Sequence, residues 1–393
     1  MEILIIVGII LALLFNFVNG LNDAANSIAT VIATKVLTPL QAVGLAAFFN
    51  LVGPLLFTTA IAKTIGKGIV DPAILTPFLL VTGLVGAVFW VFFCSHFGIP
   101  VSSSHSLIGG VMGAGIGAGG FFGVIWPSGE VIVAFLRLGF IGLLIGSALF
   151  GSFAWCLGDR KLLYFGLGAV IGFAVSIPVG MMLGLVEIKG ILAVVIFIVI
   201  SPTLGFIAAY GFAALIMRYL SHASTPRRMN YIFRKLQIVS ASFHAIGHGS
   251  NDAQNAMGII TAILVAGGLL TEFEVPLWVI LASCGAISLG TLLGGWRVID
   301  KLANRITRIT PYQGFSASTS GGLVLSAMTA LGIPVSTTHA MSGAIMGVGS
   351  TQGSAAVRWG VVREIIIAWI ITIPAAAIVS YVFFAVASQV FPG

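Results

Sequence analysis

The sequence predicts an all-α polytopic membrane protein of about 12 transmembrane segments, two re-entrant helical hairpins among them, arranged as two inverted-topology repeats. Three observations predict it. Hydrophobic residues make up 59% of the 393 and charged residues only 7%, with a mean hydropathy of +1.14; a soluble domain carries about a quarter charged residues, so a water-soluble core is excluded. Apolar stretches such as ILAVVIFIVI (191–200) and EIIIAWIITIPAAAIVSYVFFAV (364–386) recur along the chain, and a helical span needs roughly 20 such residues. Finally, two polar motifs each occur twice.

The elements follow in order. MEILIIVGIILALLFNF has too long an apolar run, and an acidic rather than basic start, for a cleaved signal peptide, and reads as the first span. It runs into GLNDAANSIAT (20–30), which places Asn22, Asp23, Asn26, Ser27 and Thr30 where a membrane helix should be most apolar. A second helix is expected over 38–62, paired segments over 74–97 and 103–119 around GIPVSSSH, a long helix over 130–157, and two further spans over 162–185 and 190–217. The organisation is thus a first repeat, 1–158, with its hairpin around 74–119; two connecting helices and a basic loop, 159–235; and a second repeat, 236–393, with its hairpin around 312–350. Cys94, Cys156 and Cys284 have neither metal-ligand nor paired spacing and read as small buried hydrophobes.

The repeat itself is gapless where it matters. GLNDAAN (20–26) matches GSNDAQN (249–255), so Asn22, Asp23 and Asn26 fall on Asn251, Asp252 and Asn255. GIPVSSSHSLIGGVMG (98–113) matches GIPVSTTHAMSGAIMG (332–347) in the same order and at nearly the same offset. Whether the GIPVSSSH pair crosses fully or re-enters, it adds an even number of crossings. The second unit therefore begins on the opposite side from the first, and the copies are inverted.

Loop charge orients the chain. The net charge of +7 does not point to nucleic acid, because Arg218, Arg227, Arg228, Arg234 and Lys235 gather in one connection without an acid among them. By the positive-inside rule that connection is cytoplasmic. LTEFEVP (270–276) then lies outside, RVIDKLANRITR (297–308), Arg358, Arg363, Asp159, Arg160 and Lys161 inside, and both termini outside a cell (inner) membrane; Lys63 and Lys67 are the exceptions.

Gly-Ile-Pro followed by hydroxyl residues is a helix start written inside membrane sequence. Pro100 and Pro334 cannot continue a preceding helix, and Ser102 and Ser336 are strong N-cap choices. The exposed helix N-terminus carries free N–H donors and partial positive charge, which suits an anion, phosphate above all. Ser102, Ser103, Ser104, Ser336, Thr337 and Thr338 are accordingly the candidate anion ligands. His105 and His339 have two readings, meeting the anion or carrying protons on one side, fixing neighbouring side chains on the other.

A carboxylate deep in a span costs on the order of 3 kcal/mol, which makes it a functional-site candidate. Asp23 and Asp252, with the amide oxygens of Asn22, Asn26, Asn251 and Asn255, form a hard-oxygen environment for a small hard cation. None of the four motifs holds a Lys or Arg, so an anion beside two carboxylates would face net negative charge in a low dielectric unless cations accompany it. Inverted repeats, broken helices and such a pair of sites are the recurrent plan of secondary transporters.

GLNDAAN and GHGSNDAQNAMG resemble the duplicated signature of the inorganic phosphate transporter family, which includes bacterial transporters and the sodium-phosphate symporters of solute carrier family 20. The resemblance covers nearly the whole chain. It implies phosphate as substrate, uptake by symport with sodium or protons, no cofactor beyond the coupling ions, two helical hairpins, and functional Asp and hydroxyl residues at the positions above; it also admits a homodimer embedded in lipid. The large hydrophilic loop of animal members is missing, since residues 218–235 are short. Sodium is favoured because amide oxygens are cation ligands with no use in carrying a proton. A channel and a sulfate transporter are the competing readings. An intramembrane hydrolase with Ser103 or Ser104 and His105 is disfavoured, since adjacent helical residues do not face each other. The inverted topology predicts that single cysteines at Ser224 and Thr271, in a background lacking native cysteines, label with an impermeant reagent from opposite faces; labelling from one face contradicts it.

Overall fold

A computed structural model describes residues 2–56, 59–157, 161–186, 188, 190–220, 225–333 and 335–390. Asp159, Arg160, Ser224 and Pro334 lie outside the described residues. The helices are α1 (Glu2–Ala33), α2 (Pro39–Val52), α3 (Ala60–Lys67), α4 (Pro77–His96), α5 (Ser103–Gly119), α6 (Gly129–Leu157), α7 (Lys161–Met182), α8 (Gly190–Leu220), α9 (Pro226–Ala266), α10 (Leu277–Leu293), α11 (Trp296–Asp300), α12 (Pro311–Ala330), α13 (Thr337–Ser350) and α14 (Trp359–Val390). Among the described residues the β-structure is a single isolated bridge, Val70 to Val124.

Local chemistry sets the starts. α2, α4, α9 and α12 each begin at a Thr-Pro step; proline at the first helical position has the fixed φ a helix needs and lacks an N–H that would be unpaired there anyway. Thr38 adds a capping box with Gln41. Among the described residues seven helices are long and apolar enough to cross a membrane, or eight if the bent pair Leu277–Leu293 and Trp296–Arg305 counts as one span. The sequence reading expects more because it counts the hairpin arms and α9. α5 and α13 are short at 17 and 14 residues, and the 41-residue α9 is diluted by its basic start and polar motif.

Two expectations need correction. The helix expected over 38–62 is broken: α2 ends at Val52, a 3-10 turn covers Gly53–Leu56, and α3 starts at Ala60. Pro54 removes an N–H from the ladder, and Gly53 is pressed against the Ile246 carbonyl. The basic loop is also shorter than expected, since Arg227, Arg228, Arg234 and Lys235 already lie in α9. A boundary at residue 235 therefore falls inside a helix.

α1 and α9, which carry the duplicated motif, run antiparallel: Asn16 reaches the Ala253 carbonyl, and Arg234 reaches the Lys35 carbonyl at 2.8 Å. The hydrophobic core does not divide by repeat. One cluster joins Phe15 and Val18 of α1 to Leu84, Leu107, Ile259 and Ile287; another joins Ala25 and Ile28 to Val43, Ala245, Val298 and Ala344. The polar motif of α1 thus sits at the seam between two apolar masses.

α4 with α5, and α12 with α13, are antiparallel helical hairpins. Ser106 donates to the Ala87 carbonyl in the first, and Gln313 to the Val348 carbonyl in the second. Each is covered by a helix from elsewhere. Gly109 and Gly113 of α5 lie on the Ile373 and Ala377 carbonyls of α14, while Gly343 and Gly347 of α13 lie on the Pro202 and Phe206 carbonyls of α8. α8, which the sequence reading assigns to the connection, thus takes the place at the second hairpin that α14 takes at the first. Cβ atoms on Gly113 and Gly343 would meet those backbones at 2.0 and 2.1 Å. Gly113→Ala and Gly343→Ala should therefore each destabilise by about 1–3 kcal/mol through overpacking. Gly166→Ala, with open space around it, should leave the melting temperature in detergent unlowered.

Candidate functional site

The helix breaks of the hairpins are capped from within. Ser102 accepts from the His105 N–H at 3.3 Å and Ser336 from the His339 N–H at 3.2 Å. Both cap oxygens are thereby used for the helix starts. Ser103, Ser104, Thr337 and Thr338, in the first turns of α5 and α13, are left to face the site.

Those hydroxyls converge on the crossing of α1 and α9. Asp23 accepts from both hairpins: Ser103 at 3.1 Å and Thr337 at 3.4 Å on Oδ2, Thr338 at 3.0 Å on Oδ1. Asp252 Oδ2 accepts from Thr337 at 3.1 Å. A threonine hydroxyl has one proton, so Thr337 satisfies one of the two carboxylates at a time. The asparagines cross over between halves. Asn26 of α1 donates to Thr337 and Thr338 of the second hairpin, and Asn255 of α9 donates to Ser104 of the first. Asn22 and Asn251 instead hold their own hairpins, through Ser95 at 2.8 Å and Thr329 at 3.1 Å.

Every group named here is buried; Asp23 and Asp252 are 1% and 0% exposed. One oxygen each of Asp23 and Asp252 and a ring nitrogen of His248 lie within 4.8 Å of one another. No lysine or arginine stands in the motifs to offset the carboxylates. The amide oxygens of Asn22, Asn26 and Asn255 have no hydrogen-bond partner. Unpaired buried acceptors are costly and therefore rare, and Asn26 and Asn255, three residues after the aspartates, share their helical faces. The donor set fits small hard cations.

Sequence reasoning missed several members. Asn19 accepts from Ser103 at 2.6 Å, and its equivalent by the repeat is His248. Both stand four residues before the aspartate, hence on its helical face, and that spacing was the available signal. Asn50 and Thr291, from α2 and α10, hold His248. Thr291 donates to the Ile287 carbonyl and accepts from Asn50 Nδ2 at 2.9 Å, which turns Asn50 Oδ1 to His248 Nδ1 at 3.1 Å. That arrangement places a proton on Nδ1 and leaves Nε2 3.2 Å from Asp252 Oδ2. Such a contact is favourable with a proton shared between the two atoms or a cation beside them.

His105 and His339 do not join the carboxylates. Their rings pair edge to face with centroids 4.8 Å apart, and His339 stacks on Trp369 at 4.0 Å. Neither ring has a side-chain hydrogen-bond partner. Cys94 and Cys284 are free and buried.

The profile of the family described as "Phosphate transporter family" matches residues 19–164 and 166–380. A Rhizobium meliloti (strain 1021) protein named "Probable low-affinity inorganic phosphate transporter" is 42% identical over 378 residues, 96% of this chain and 94% of that one. A Bacillus subtilis (strain 168) protein of the same name is 32% identical over the whole of both chains. Among solved structures, one titled "The sodium-dependent phosphate transporter" superposes with a TM-score of 0.71 at 27% identity, covering both chains completely.

If Ser102 and Ser336 serve as caps, Ser102→Ala and Ser336→Ala should each lower stability by about 1 kcal/mol. Threonine at either position should restore most of the loss in a detergent melting assay.

Proposed function

Because the chain belongs to the phosphate transporter family, we propose that it is a secondary active transporter importing inorganic phosphate by symport with sodium, through alternating access at a midplane site in the cell membrane, both termini outside. The observation that carries this reading is the convergence of hydroxyls from both hairpins on two buried carboxylates flanked by unpaired amide oxygens. Phosphate is held by Ser103, Ser104, Thr337 and Thr338 and by N–H groups at the starts of α5 and α13, where the helix dipoles favour negative charge. Sodium is held by Asp23 and Asp252 with Asn22, Asn26, Asn251 and Asn255.

The two cargoes need one another. Sodium on the carboxylates supplies the positive field that lets a phosphate anion occupy a low-dielectric site without lysine or arginine. Phosphate in turn draws off the hydroxyl donors that hold Asp23 and Asp252, leaving the carboxylates to the cations. Binding energies linked in this way are reciprocal. Because α1 and α9 are antiparallel copies, exchanging the conformations of the two halves exposes the same site to the other side. Re-entry of both hairpins from opposite faces completes the reading, each covering the site from one side.

Thr338→Ala removes a hydrogen bond to a charged ligand, about 1.5 to 3 kcal/mol, so phosphate affinity should fall roughly ten- to a hundredfold. Asp23→Asn or Asp252→Asn should abolish gradient-driven uptake into proteoliposomes and weaken phosphate binding as well. Arsenate should compete well with phosphate and sulfate poorly, because sulfate has no proton to donate at neutral pH. The coupling ion is read in wild-type proteoliposomes. Accumulation that follows a sodium gradient at fixed pH supports sodium; accumulation that follows a proton gradient and ignores sodium makes the aspartates proton carriers.

A further inference from the structure

The chain turns sharply after α10. Gly294, with φ of +62°, ends the helix, and α11 with the π turn Lys301–Arg305 leaves at 66° to it. Val298, Ile299 and Leu302 pack beside Ile28 and Val31, which places the bend at the end of the molecule where α1 finishes. The turn brings Trp296, Arg297, Asp300, Lys301 and Arg305 up to Phe97 and Gly98, the residues that close α4 and open the tip of the first hairpin. Between them lies a cavity of 420 Å³ lined by those seven residues.

Its charges are unevenly matched. Asp300 is fully engaged: Oδ2 accepts from Arg305 Nε and Nη2, each at 2.8 Å, and Oδ1 from Asn304 at 2.9 Å. Lys301 pairs at 3.0 Å with Glu364; the lysine side chain is 16% exposed and the glutamate 66%, and a pair with one partner largely in water is weakened by solvent. Arg297 has no carboxylate within ion-pair distance among the described residues. One of its donors goes to the His96 carbonyl at the end of α4, and Arg297 is among the residues that line the cavity. Trp296 and Phe97 flank it with half-exposed rings.

We infer that this cavity is a second binding site, for a phosphate group, distinct from the one between the hairpins. A guanidinium with free donors and an adjacent ammonium, in a pocket too large for a single ion's partner to fill, is the chemistry that takes a phosphate oxyanion. The group comes either from an anionic lipid headgroup, whose glycerol and acyl carbons rest on Trp296 and Phe97, or from free inorganic phosphate. In both cases the ligand braces Arg297 against the His96 carbonyl. It thereby stiffens the turn from Phe97 to Ser102 that leads into Ser103 and Ser104.

The test uses the full-length protein and does not depend on transport. Delipidated wild-type protein, Arg297→Gln and Lys301→Gln are incubated with phosphatidylglycerol or phosphatidylcholine and examined by native mass spectrometry. In parallel, inorganic phosphate is titrated against lipid-free Asp23→Asn protein with and without each substitution. Retention of phosphatidylglycerol over phosphatidylcholine by wild type, reduced at least tenfold in both variants, identifies the headgroup as the source. Binding of phosphate to Asp23→Asn protein, lost in both double variants, identifies free phosphate. Lys301→Gln keeps the result interpretable should loss of the Arg297 contact to His96 unfold the turn. If neither ligand distinguishes wild type from Lys301→Gln and Arg297→Gln, the site does not exist.

Discussion

Two carboxylates, Asp23 and Asp252, face each other inside an apolar protein with no lysine or arginine in the motifs around them, and much of the architecture can be read as the means of tolerating that. Like charges a few ångströms apart in a low dielectric repel strongly, and water is excluded by the apolar clusters on either side of the seam. Hydroxyl donors have to be brought in from elsewhere in the chain. The hairpins do this by starting helices within the protein, where Ser102 and Ser336 close the new N-termini and the next residues turn their hydroxyls to the acids. Donors alone do not complete the site, because unpaired amide oxygens remain.

The two-fold arrangement explains why each hairpin serves both motifs. Asp23 is bonded by Ser103 and by Thr338, residues that lie in different repeats. The same Thr338 hydroxyl lies 3.1 Å from the Val101 carbonyl at the tip of the opposite hairpin, an alternative acceptor for its one proton. The second hairpin reaches both carboxylates through Thr337, while the first reaches Asp23 through Ser103 and the α9 motif through Ser104, so a rearrangement of either hairpin alters the partners of both motifs. The glycines of α5 and α13 permit α14 and α8 to lie directly on them, so each hairpin is backed by a helix along which it is closely seated.

The symmetry is broken at one informative point. Where α1 has Asn19, α9 has His248, and the chain Thr291–Asn50–His248 orients the imidazole toward Asp252. The halves of the site are thus chemically unlike, one with an amide at the position four residues before its carboxylate, the other with a ring nitrogen there.

Composition, the duplicated Asn-Asp-x-x-Asn motif and the Gly-Ile-Pro-hydroxyl starts were sufficient to read the helical class, the repeats and the identity of the facing polar residues, because each depends on local chemistry: a proline lacks an N–H, a serine caps, a carboxylate in a span is costly. Three matters were decided only by tertiary structure. The break after Val52 follows from a proline together with a glycine pressed on α9, and the glycine's partner is nearly 200 residues away. The backing of the second hairpin by α8 depends on which helix offers a carbonyl row to Gly343 and Gly347, and sequence order assigned that helix to the connection between the repeats. Asn19 and His248 stand at a helical spacing from the aspartates that sequence could have shown, but the recruitment of Asn50 and Thr291 rests on distances from α9 to α2 and α10, which carry neither motif. A sequence records which side chains can bear chemistry; long-range packing alone determines which of them stand within 3 Å of one another.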